Sequence, residues 1–239
     1  SSQTIPNPLM LPTNSASQFT TLLSVAFFCL LLTSSVGVAQ PTQRPTAPSS
    51  APDTSQCRFT GSVSVPDSLS LYTSSSPRMG LPDAPVRIVE FFDPNCPHCR
   101  SFHKRMLPRL KKEVPEDSVS IYMRAYPLSK QSYPQFFMLH YAAEKGRYAT
   151  MLDAMFSLSP SGRFSRRTAT YYSKAADLNP DSTFRAITSG RYANRVQRSI
   201  QLAESIGVDG TPTLVINGKK VARSSYTPSC LGTLIRREM

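Results

Sequence analysis

Residues 85–99 read PVRIVEFFDPNCPHC. The first eight, Pro85–Phe92, are a short apolar run rich in β-branched and aromatic side chains, which predicts a buried strand. Cys96-Pro97-His98-Cys99 follows within four residues. From Arg100 to Val114, apolar residues recur at 102, 106, 110 and 114 among six basic ones, predicting an amphipathic helix kinked at Pro108 and ended by Pro115. A strand that runs into Cys-x-x-Cys and straight on into a helix puts Cys96 at a helix N-terminus. Free N–H groups and the macrodipole there favour a thiolate. His98 can add a donor or a positive charge. Cys96 is then the attacking and leaving sulfur. Cys99, one turn in, is shielded and suited to resolving.

Working outward, Ser118–Ala125 alternates and predicts a second strand. From Pro134 to Ser205 the pattern is helical: one helix stopped at Gly146, then Tyr148–Phe156, then Arg166–Ala176. Asn179-Pro180 caps a fourth, and Tyr192–Ile206 forms a fifth, stopped at Gly207. After Thr211-Pro212, TLVIN predicts a strand, and Asn217-Gly218 is a hairpin signal that returns the chain through Lys220–Arg223. Thr227-Pro228 caps a last helix. This order predicts an α/β fold: a central mixed sheet flanked by helices, with an inserted helical domain over about 130–206 of a domain spanning 57–239.

Among 239 residues there are 27 Lys+Arg and 15 Asp+Glu, a net charge of +12, and none of these charged residues lies in Ser1–Ala39. The basic residues are scattered and lack a groove-reading or strand-binding motif, so they read as a solvated face and not as a nucleic-acid surface. Leu22–Leu32 is an apolar run followed by small residues up to Ala39. That is the pattern of a signal peptide, short for a bilayer span, although no basic residue precedes it. Residues 1–39 are read as a cleaved signal peptide or a retained N-terminal anchor. Either one exports the rest of the chain, to a periplasm or an equivalent space, and the anchor would also tether it to the membrane. Residues 40–56 (QPTQRPTAPSSAPDTSQ) are a Pro/Ser/Thr-rich linker.

Five cysteines remain to be assigned. Cys-x-x-Cys also serves zinc, but a structural zinc site usually needs a second close ligand pair, and Cys57 and Cys230 lie far apart in sequence. No metal and no cofactor beyond the Cys96–Cys99 redox pair is expected. Cys57 and Cys230 are an even leftover pair in an oxidising compartment and are candidates for a structural disulfide. Cys29 sits inside the apolar run, out of position for lipidation. His103 and His140 read as packed or partly exposed histidines. The Met and aromatic residues of 133–156 read as core, some available to line an apolar groove.

Val89–His103 resembles the active-site segment of DsbA-like thiol:disulfide oxidoreductases of the thioredoxin superfamily, and CPHC is the tetrapeptide typical of DsbA itself. Ser76–Val86 and Gly207–Gly218 (GVDGTPTLVING) resemble the subgroup also found fused to VKOR-type membrane proteins. The resemblance spans about 76–236 and implies a thioredoxin-like fold. It implies that Pro212 is a cis-proline facing the active site, and that Gly210, Thr211 and Pro212 pair with an extended substrate peptide. It also implies that Glu90 is a buried acid of raised pKa that takes the proton of Cys99 during exchange. The implied activity introduces disulfides into exported, unfolded proteins with free thiols, with reoxidation by a membrane partner of DsbB or VKOR type. Thr211 leans the other way, since the isomerases carry Thr there. About 45 residues between Ala39 and Pro85 are few for an isomerase's dimerisation domain, so a monomeric oxidase is expected. The alternatives are a disulfide isomerase or reductase on the same fold, and a redox-inactive peptide-binding chaperone.

Overall fold

The computed structural model describes residues 54–157 and 164–239. The expected leader, linker and Cys29 therefore lie outside the described residues, apart from the last residues of the linker. Val86–Phe92 forms strand β3; it follows two short strands, β1 (Phe59–Ser62) and β2 (Arg78–Met79). Strands β4 (Val119–Ala125), β5 (Thr213–Ile216) and β6 (Lys219–Val221) complete a six-stranded mixed sheet of order β1-β6-β5-β3-β4-β2. The central strand β3 pairs in parallel with β4 and antiparallel with β5. Both faces of β3 are covered, which is why six of its seven residues are buried.

The helices carry the sheet's two faces. α1 (Pro97–Ser101), a π-helical turn (Phe102–Met106) and α2 (Leu107–Leu110) form one continuous run. The kink expected at Pro108 is thus a π-turn placed just before it. Proline has no N–H to give and its ring crowds the carbonyl four residues back, and the wider turn relieves both. The helical block holds α3 (Tyr133–Glu144), α4 (Tyr148–Ser157), α5 (Arg166–Ala175), α6 (Pro180–Thr188) and α7 (Ala193–Ser205). Asn179 caps α6 by accepting from the Ser182 N–H, and Thr227 caps the last helix, α8 (Pro228–Glu238), by accepting from the Cys230 N–H. Asn217 and Gly218 both take positive φ, +44° and +81°, as a tight turn between β5 and β6 requires. Counting α1–π–α2 once, seven helices flank the sheet among the described residues.

Two apolar clusters result. One joins Ile88, Phe92, Met123 and Leu214 to α1–α5 and α8. The other joins Val89, Phe91 and Val215 to Leu202, Ala203 and Ile206 at the end of α7. The last helix of the block therefore closes the second face of the sheet.

Cys57 and Cys230 form a disulfide across a sequence separation of 173, tying the segment before β1 to α8. A bridge that closes so long a loop restricts the unfolded chain strongly. Replacing both cysteines with Ala is expected to cost about 2–4 kcal/mol of stability, read from denaturant unfolding under non-reducing conditions.

A dithiol site at the head of a helix

The chain leaves β3 at Phe92 and turns through Asp93–Asn95 into the helix, and this turn is held from both sides. The fully buried Asp93 carboxylate accepts from the Asn95 N–H (2.7 Å), the Leu128 N–H (2.7 Å) and the Ser132 hydroxyl (2.7 Å). Asn95 and Gln135 exchange side-chain hydrogen bonds of 2.6 and 3.0 Å. Four polar residues from two distant segments thus fix the approach to Cys96.

Cys96 is the N-cap of α1 and Pro97 occupies the first turn, where its missing N–H costs nothing. Both thiols are free, Cys96 5% exposed and Cys99 fully buried. The nucleophile is thus less open than a helix-start position suggests, because the Thr211-Pro212 loop covers it. The Cys96 thiol donates to the Thr211 carbonyl oxygen at 3.4 Å. Thr213 opposes Phe91 in the β3–β5 register, which brings residues 210–212 to the end of the sheet where the redox pair sits. The Thr211–Pro212 bond is cis.

The two sulfurs are driven apart in acidity. The Cys99 thiol stabilises the Cys96 thiolate most, ahead of the opposing effect of burial; Thr211 and the backbone N–H groups of Cys99 and His98 add to it, and together they bring Cys96 down to about 5. His98 acts here through its backbone, and its side chain, like Pro97, is exposed. Burial, the bond to Cys96 and the charge of Glu90 push Cys99 far above the ordinary thiol range.

While Cys96 is a thiol, the Thr211 hydroxyl is buried and without a partner; on ionisation it gains a sulfur to donate to. Replacing Thr211 with Val is therefore expected to raise the Cys96 pKa by about one unit, read from thiolate absorbance, and to leave the stability of the oxidised protein, which has no thiolate, unchanged or higher.

Glu90 lies in the middle of β3, opposite Met123 and Leu214, and is fully buried. Both of its oxygens face His103 Nε2, at 2.9 and 3.1 Å. His103 belongs to the π-turn, stacks on Phe156 with ring centroids 4.8 Å apart, and keeps 9% of its side chain accessible. The sequence marked Glu90 but read His103 as packing. The missed signal is spacing: residues four apart share a helix face, so His103 lies below Cys99 and toward the sheet. Beside the cysteines, Phe102, Met106, Thr211, Pro212, Arg223 and Tyr226 line an open groove. Arg223 is held by Asp209 at 2.8 Å and folds over Gly210. Among the described residues no cluster of His, Cys, Asp and Glu could hold a metal ion.

A two-cysteine helix head on a mixed sheet, with one sulfur acidified and the other masked, defines a protein dithiol–disulfide oxidoreductase. The chain belongs to the thioredoxin family, whose profile matches residues 73–236, and within that superfamily it is DsbA-like. It is 26% identical over 159 residues to a probable disulfide bond formation protein D of Bacillus anthracis, covering 61% of this chain and 71% of that one. Further relatives are matched over 21–57% of their own length. The fold is that of BdbD from Bacillus subtilis, at a TM-score of 0.64 and 18% identity over 74% of this chain and 97% of the other. It is also that of the thiol-disulfide exchange protein alpha-DsbA2 from Wolbachia pipientis, at 0.59 and 20% over 71% and 90%.

Proposed function

We propose that this oxidoreductase is an exported oxidase that introduces disulfides into secreted proteins. The observation that carries the reading is the divergence of the two sulfurs: a Cys96 thiolate stable well below neutrality favours the reduced enzyme, and whatever stabilises the reduced form makes the disulfide a stronger oxidant. A substrate thiolate attacks Cys96 Sγ of the oxidised pair. The Cys96–Cys99 bond breaks and its electron pair goes to Cys99 Sγ, which takes up a proton. A second substrate thiolate then attacks the substrate sulfur of the mixed disulfide and expels Cys96 as a thiolate. The substrate loses two electrons and the enzyme gains them. A membrane reoxidase of DsbB or VKOR type returns the enzyme to its disulfide.

In this reading Glu90 exchanges the proton with Cys99, and His103, the only member of that pair with a solvent-accessible edge, refills it. Gly210, Thr211 and Pro212 receive the substrate backbone, and the groove beside them receives apolar side chains around the substrate cysteine. Export is supported by the apolar run at 22–32 and by the Cys57–Cys230 bridge, which belongs to an oxidising space. Among the described residues no helix is long and apolar enough to cross a membrane.

Thr211 favours a second reading, disulfide isomerisation on the same fold. Two assays on residues 40–239 separate them: oxidative folding of a reduced protein, and recovery of a scrambled one. Fast oxidation, poor recovery and an equilibrium with glutathione far toward the dithiol are expected. A dimer that rescues the scrambled substrate and oxidises slowly overturns the oxidase reading, and a protein that does neither is a binding module.

A further inference from the structure

Away from the redox pair, the loop at 67–76 packs against the end of β4, α3 and α7 and lines a partly open cavity of about 230 Å³. Its most telling residue is Arg124 on β4, only 7% exposed. The guanidinium donates to the Leu71 carbonyl at 2.9 and 3.3 Å and to the Ser70 carbonyl. These are neutral acceptors, and Arg124 takes part in none of the ion pairs among the described residues. A buried cation without a counter-ion is costly.

Two more groups in the same cavity are unanswered. Ser199 Oγ, on a residue 3% exposed, and His140 Nδ1, on one 8% exposed, are buried without hydrogen-bond partners. Leaving such groups unpaired costs about 1–3 kcal/mol each. Burial and the neighbouring Arg195 hold His140 neutral near pH 7, down to about 4, so one ring nitrogen carries a hydrogen to donate. Arg195 and Arg198 of α7 stand exposed at the rim, Arg195 sharing Glu144 at 3.0 Å. Against three guanidiniums the lining holds one carboxylate, the exposed Asp67.

We infer that this cavity is a binding site for a phosphate-sized oxyanion. Its floor is Arg124, His140 and Ser199, and its rim is Arg198 with Arg195. One bound dianion supplies the counter-charge to Arg124, and through Arg124 and Arg198 it ties the 67–76 loop to β4 and α7. On the same measure one water needs only about 10–15 Å³, so a tetrahedral oxyanion fits with solvent to spare. The site is independent of the thiol chemistry.

The test is calorimetric titration of the whole chain with inorganic phosphate, repeated with glycerol 3-phosphate, at constant ionic strength. Saturable one-to-one binding is expected, with a rise in melting temperature that follows the same dissociation constant. Arg195→Gln and Arg198→Gln should each weaken binding roughly tenfold, as loss of a bond to a charged group does. Arg105→Gln, an equal change of charge on the exposed face of the α1–α2 run, should leave it unchanged. Tighter binding of glycerol 3-phosphate assigns the site to a phosphate monoester, and weaker binding assigns it to the free ion. Absence of saturation by about 10 mM phosphate, or equal weakening by Arg105→Gln, overturns the inference.

Discussion

Reduced protein titrated downward from about pH 9 is expected to lose one thiolate with a midpoint near pH 5. The same midpoint should govern the rate of alkylation, and Cys96→Ser should abolish both the titration and all exchange activity. Cys99→Ala should instead retain the thiolate, although at higher pKa because the Cys99 thiol is its first stabiliser; with no Cys96–Cys99 bond to give up it should oxidise no substrate, and offered a protein disulfide it should be trapped as a mixed disulfide. The pH dependence of stability follows from the direction of the shift. The folded-state pKa of Cys96 lies below that of an unfolded thiol, near 8.5, so its contribution to the stability of the reduced form is complete above that value and is lost as pH falls through 5. The oxidised form has no such thiol. The stability gap between reduced and oxidised protein should therefore narrow between about pH 8 and pH 5. A Cys96 that alkylates only above about pH 8 removes the basis of the oxidase mechanism.

His103→Leu is expected to be among the most damaging single changes away from the cysteines. It leaves the fully buried Glu90 carboxyl without the partner that both its oxygens face, and orphaning a buried polar group costs about 1–3 kcal/mol. For a domain of this size that is a fall of roughly 5–10 °C in melting temperature. The double change Glu90→Leu with His103→Leu replaces the pair by apolar side chains and should recover most of the lost stability, since such replacements are often neutral. It should not recover exchange. Stability restored with the Cys99-dependent steps still slow separates a proton-handling pair from one that merely packs. If the double variant exchanges at the original rate, the pair has no part in the chemistry.

The strand, the cysteines and the helix are neighbours in the chain, so local pattern was enough for them. So were Asn179, Thr227 and Asn217-Gly218, whose capping and turn roles need only the next few residues. β1 and β2 carry no local mark, for the opposite reason. β1 is a four-residue edge strand with mostly exposed side chains, and its pairing, Phe59 with Val221, crosses most of the domain. The Asp93–Ser132 and Asn95–Gln135 contacts are likewise non-local, and polar residues in a turn carry no mark of such partners. The π-turn is legible in the spacing. Apolar residues at 102, 106, 110 and 114 recur every fourth position, which drifts about 40° per step on an ideal helix, and one wider turn partly realigns them. His103 was read residue by residue as packing, and only the depth of Glu90 beneath the same turn gives it a partner.

The bridge from Cys57 to Cys230 makes a covalent ring of everything between them, redox pair included. A single backbone cut inside that ring liberates no fragment: the two pieces stay joined at the sulfurs and travel as one band until a reductant is added. Such a cut also gives the domain new ends while its former start and finish remain spliced, the connectivity of a circular permutant held by sulfur in place of a peptide. The ring therefore guards the enzyme against the first nick of a protease, and the guard lasts as long as its surroundings stay oxidising.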